Sequence, residues 1–158
     1  MGQFIVNHFD KEGQQLWGDV CNNSLADEGE RDMLDLFFRG GTAPDSFELV
    51  LVNATPVDTS TVAGLQASEP SGSGYARQAI ARNSVDWPTL ALDTGDYMAT
   101  SKTVTFEATG AGWGPVTHTT LIGVFGLERH LIAYAALSQS RTLADGETLS
   151  VIYKVKQQ

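Results

Sequence analysis

Chemistry needs particular side chains at particular spacings, and this chain carries few of them. Its histidines are His8, His118 and His130. A nucleophilic hydrolase sets a Ser or Cys beside such a His, and none of these stands in a nucleophile context. Gly72-Ser73-Gly74 lacks the G-x-S-x-G spacing and the strand-to-helix setting of a nucleophile elbow, so it reads as a flexible turn. No Gly-rich stretch ends in Gly-Lys-Ser/Thr, so the loop that cradles phosphates is absent. Gly110, Gly112 and Gly114 alternate around Ala111 and Trp113 and call for close backbone packing, with nothing to indicate a dinucleotide. His118 and His130 could face each other across a hairpin, but two histidines without a third ligand make a poor zinc site. Asp93-Thr94-Gly95-Asp96 resembles part of a calcium loop yet lacks the closing acid, and a plain turn is expected. Cys21, the single cysteine, reads as a small buried hydrophobe. Trp87, Trp113 and Tyr75 are the residues a sugar-stacking platform would use, with core or interface packing the expected role. The expectation is no catalytic residue, no cofactor and no metal: a protein that is not an enzyme.

The elements that would position these residues are mostly strands. Val116 to Phe125 alternates in a period of two and is rich in Val, Thr and Ile, the pattern of a β-strand. A short break at Gly126-Leu127-Glu128-Arg129 leads into His130 to Leu137, and the pair reads as an antiparallel hairpin at the centre of the fold. Ser46 to Ala54 predicts a strand buried on both sides, Tyr75 to Ser84 a strand with one wet face, and Thr103 to Thr109 and Thr148 to Val155 two more. Val85 to Asp96 reads as irregular around Trp87-Pro88. One helix is expected over residues 24–39. Ser24 would cap it, Asp27, Glu28 and Glu30 complement its dipole, and Gly40-Gly41 end it. Residues 55–74 are rich in Thr, Ser, Pro and Gly and predict a long loop, functional or flexible. Residues 1–23 have weak periodicity and read as an N-terminal arm or edge segment that packs on a partner or on the body. Six or more short strands with one helix give a mainly β fold. The expected form is an antiparallel β-sandwich, jelly-roll or immunoglobulin-like, with a single domain over 24–158.

Bulk properties bound the function. At 158 residues the chain needs no staple to fold, since a domain of this size buries about 68–70% of its unfolded surface. A formal charge of −9 argues against nucleic acid, whose phosphates call for a basic face, and against anionic membranes. One unpaired cysteine and the lack of a basic, apolar leader fit folding in a reducing cytoplasm.

A family resemblance adds to this. Gly74-Tyr75-Ala76-Arg77-Gln78, then Trp87, then Val104-Thr105-Phe106-Glu107-Ala108-Thr109-Gly110 come first in the pattern. Trp113-Gly114-Pro115-Val116-Thr117-His118, Leu131-Ile132-Ala133-Tyr134 and Arg141-Thr142-Leu143-Ala144-Asp145-Gly146-Glu147-Thr148-Leu149 follow. In that order they resemble small β-sandwich proteins encoded among the virion structural genes of tailed bacteriophages. The resemblance spans roughly 46–155, and the helix followed by the Phe47-Glu48-Leu49-Val50-Leu51-Val52 strand looks like the family's opening. It implies a non-enzymatic virion component assembled in the host cytoplasm. The first expectation is a capsid cement (decoration) protein on the capsid surface. It would be a trimer bridging subunits of the major capsid protein through the N-terminal segment (Phe4, Ile5, Phe9, Trp17) and the loop around Trp87. The alternative is a tail or tail-tip component, an adaptor or a receptor- or glycan-binding module using Trp87, Tyr97 or Trp113.

Overall fold

The computed structural model describes residues 2–156, and strands account for most of them. The first sheet runs β2 (Gln15–Asn22), β1 (Gly2–Phe9), β11 (Thr148–Lys156), β7 (Asp96–Thr100), β6 (Thr89–Asp93), with β8 (Val104–Glu107) paired to β11 farther along. The second runs β3 (Ser24–Leu25), β10 (Glu128–Leu143), β9 (Trp113–Phe125), β4 (Ser46–Val52), β5 (Gln78–Ala81). Every pairing is antiparallel. The fold is therefore the two-sheet sandwich that alternating strands and polar turns demand.

The expected central hairpin is present as β9 and β10, turning at Gly126-Leu127 with Phe125 opposite Glu128. Gly126 has φ +62, a conformation glycine adopts at little cost. Between the sheets lies the main core, with Phe4, Leu49, Leu51, Ile80, Phe106 and Leu149 fully buried. Each such side chain contributes about 1.5–3 kcal/mol relative to exposure. On the far face of the second sheet, Val50, Val52, Ile122 and Leu131 form another cluster beneath Ala26, Val62 and Leu65. β4 is thus buried on both faces, as its continuous apolar sequence predicts.

Several expectations are corrected. The segment read as an N-terminal arm or edge piece is a strand pair, and β1 lies inside the first sheet between β2 and β11. Of these two strands only β2 stands at an edge of the sheet. The helix is α1 (Asp27–Phe38) and not 24–39, because Ser24 is taken up by pairing with Tyr134 and the cap falls on Ala26. Its acidic first turn is as expected, and Glu28 accepts a hydrogen bond from the Leu131 amide at 2.7 Å. The loop at 55–74 carries its own short helix α2 (Val62–Leu65), capped by Thr61. That helix packs Val62 and Leu65 on the second sheet, so the segment covers the chain's own core. The strand expected over 75–84 is only Gln78–Ala81. The supposedly irregular 85–96 contains β6 and leads through Thr94 (φ 50) and Gly95 (φ 96) into β7. Positive φ at both central residues is what a tight two-residue hairpin turn requires.

Candidate functional site

The residues expected to touch a partner are dispersed. Phe4 is fully buried against Tyr153, ring centroids 4.7 Å apart, so it belongs to the core and not to a contact surface. Ile5 and Phe9, one and five residues on, point to the outer face of the first sheet and are half-buried. Trp17 turns inward beside His8 and carries the Arg141 guanidinium over its ring at 4.7 Å. The apolar residues of this segment that stand most open are Leu16 and Val20. Alternation along β2 could have found Val20, had residues 15–22 been recognised as a strand.

Trp87 is half-buried, edge-on to Phe47 at 5.5 Å and to Tyr153 at 6.4 Å, and its indole N–H is buried without a partner. The turn that holds it is tied down locally. Asn83 accepts from the Val85 and Asp86 amides, and Asp86 accepts from the Ala81 amide and from Lys102 Nζ. Trp113 and Tyr75 are packed together at 5.6 Å within the core, the Tyr75 hydroxyl bonding the Leu51 backbone, so no sugar platform forms from the three.

The histidines do not converge. His118 pairs across the hairpin with Ala136 and His130 with Gly123. His8 is buried, its Nε2 3.1 Å from Glu147 Oε2. Among the described residues no group of three His, Cys, Asp or Glu is arranged to hold a metal. Cys21 donates to Asp19 Oδ2 at 3.2 Å, and burial, helped by that carboxylate, pushes its pKa up to about 12.

Two concavities flank α1. One is an open polar cleft of about 530 Å³ lined by Arg31, Asp32, Asp35, Asp45, Glu128 and His130. In it His130 Nδ1 lies 2.6 Å from Asp32 Oδ2, and Arg31 Nη2 donates to Asp32 Oδ1 at 2.8 Å. Four carboxylates against one guanidinium give the cleft a cation-seeking character. The other is a groove of about 180 Å³ at one end of the sandwich, between α1 and the two sheets, almost wholly apolar. Met33, Phe47, Trp87, Leu121, Tyr153 and Val155 line it. Asp32 and Phe125 border both, so polar cleft and apolar groove are neighbours across the helix. Sequence reading missed both, because each joins residues about a hundred positions apart or more.

Fold and surface together define an antiparallel sandwich whose surface carries an apolar groove and an acidic cleft. The family described as Podophage GP4 fiber I protein gp80 matches residues 24–155, and the chain belongs to that family. It is a structural protein of a tailed phage, associated with the virion. No curated protein matches it.

Proposed function

We propose that this protein is a tail-associated component of a podophage virion, part of or adaptor to its fibre apparatus, and that it works by binding without catalysing a reaction. The match over 24–155 to a fibre protein family carries this reading, and favours the tail alternative over the capsid cement first expected. The binding reading rests on the same family match; among the described residues His118 Nδ1 lies 2.9 Å from the Thr117 hydroxyl and no histidine hydrogen-bonds a serine or the cysteine. An adaptor role is favoured over glycan stacking, since of Trp87, Tyr97 and Trp113 only Tyr97 is well exposed. The test is to separate purified heads from tails and quantify the protein in each by mass spectrometry. It is expected in the tail fraction, stoichiometric with the fibre. Recovery on the head lattice in hundreds of copies would overturn the tail reading and restore cement.

A further inference from the structure

Along β11, Leu149, Val151 and Tyr153 point inward and are buried. Val155 is next on that face, yet it is 38% exposed. Strand pairing carries the face outward, with Val155 opposite Ala99, Ala99 opposite Leu90, and Tyr97 opposite Leu92. Directly paired residues share a face, so Leu90, Leu92 and Tyr97 stand on the side that elsewhere forms the core. They are 74%, 63% and 59% exposed. The opposite face is polar near the turn, where Lys156 Nζ lies 3.6 Å from both Asp93 and Asp96. The β6–β7 hairpin thus has the in-and-out alternation of a half-buried ribbon, with no layer among the described residues opposite its apolar side.

That bare face runs into the apolar groove, because Val155 belongs to both and Tyr153 beside it lines the groove. Met33 on α1 forms the far wall, and Phe37, one helical turn on and 74% exposed, extends it. Among the described residues β6 pairs only with β7, which leaves its outer backbone edge unsatisfied. The strand Thr89-Leu90-Ala91-Leu92-Asp93 has neither the Pro nor the Lys that commonly guards an edge.

We infer that the β6 edge, the inner face of its hairpin and the groove behind it are one docking surface for an extended segment of another virion protein. This deepens the tail-associated reading and rests on it for the source of the segment. The segment adds as a strand to β6, places large apolar side chains at alternate positions over Leu90 and Leu92, and carries Lys or Arg beside them. The basic residues follow from charge. The groove borders a cleft holding Asp32, Asp35, Asp45 and Glu128, on a chain of net charge −9. A second copy would bring the same carboxylates to that rim, and like charges brought together oppose binding. A basic, apolar strand meets no such opposition.

The test uses the purified full-length chain against overlapping synthetic peptides spanning the structural proteins of its own virion. Binding to one or a few peptides with alternating apolar residues and flanking Lys or Arg is expected. It should weaken at least about tenfold in Leu92→Asp, a loss of about 1.4 kcal/mol, and fall as salt rises. Leu90 and Leu92 are exposed, so circular dichroism and the melting temperature should stay unchanged. Asp35→Asn, on the cleft side, should reduce only the salt-dependent part. No binding peptide, or peptides held equally by Leu92→Asp, would overturn the surface. A wild-type dimer that Leu92→Asp converts to a monomer in light scattering would overturn the choice of partner in favour of a second copy. Specific peptide binding with the protein found on heads would leave the surface standing and sink the tail reading alone.

Discussion

Buried polar groups in this protein report what the sandwich does to single side chains. Cys21 is held as a neutral thiol by burial and by the neighbouring Asp19 carboxylate, its pKa at about 12. At pH 8 the thiolate fraction is then about a thousandfold below that of an ordinary cysteine, and the thiolate is the reacting form. The native protein should therefore resist iodoacetamide for hours under conditions where the urea-unfolded chain reacts in minutes. Asp19→Asn, which removes the nearby charge, should raise the native rate. His118 shows the same force with the opposite sign. Burial lowers its pKa below the ordinary 6.5, so the unfolded chain takes up its proton more readily than the folded one. Its contribution to stability is complete above about 6.5, the unfolded value, and is lost as pH falls through the depressed folded value. His118→Gln should flatten the decline of melting temperature on acidification below pH 6.5. An unchanged slope would show that the carboxylates alone set it.

At the scale of elements, the seating of α1 turns on a missing side chain. Gly29 is buried, and a Cβ there would lie 2.4 Å from the Ile132 carbonyl oxygen, a backbone atom of β10 that cannot swing aside. Gly29→Ala should lift the helix from the sheet and disturb the Ala26 amide bond to Ile132. A loss of about 1–3 kcal/mol in chemical denaturation is expected, the range of an overpacked contact, although alanine by itself favours a helix. Gly40→Ala is the control. Its φ is +76 with open space around the site, and only the cost of that backbone conformation, about 1 kcal/mol, should appear. These two glycines also mark how far the sequence could be read. Gly40 announces a helix end through local rules, and β4, β9 and β10 announce themselves through alternation and apolar runs. Gly29 meets a strand about a hundred positions away, and no local signal encodes that. Ser24 misled for the same reason: a good helix cap by type, it is taken by a pairing with Tyr134 decided by the whole sheet. The β6–β7 hairpin was hidden behind Trp87-Pro88, where an irregular turn masks the short strands that follow. The contact residues proposed from apolar content alone mixed both faces of β1, which is why Phe4 falls in the core while Ile5 faces outward.

For the molecule as a whole, the decisive question is where the folding unit begins. The family match opens at residue 24, and residues 1–23 read from the sequence as an N-terminal arm or edge segment. The sheet makes them part of the body. β1 pairs with β11 from Gly2 opposite Val155 to Phe9 opposite Thr148, and contributes Phe4 and Val6, both without solvent exposure. β2 adds Cys21 to the same core and ties Asp19 to the Ser138 amide of β10 at 2.7 Å, joining one sheet to the other. Removing residues 1–23 would leave β11 as a bare edge along that side and open Leu149, Val151 and Tyr153 to water. Phe4 and Val6 alone represent about 3–6 kcal/mol of burial, against a total stability of about 5–15 kcal/mol for a domain of this kind. The truncated chain should accordingly be recovered insoluble, or as a species that binds hydrophobic dye and melts without a cooperative transition. Adding the 1–23 peptide in trans should restore some cooperativity, as strand complementation at an open edge does. A soluble 24–158 fragment with a single sharp transition near that of the full chain would show that the strand pair is an appendage. The sandwich would then close without it, and the open face of the first sheet would become the stronger place to look for the partner.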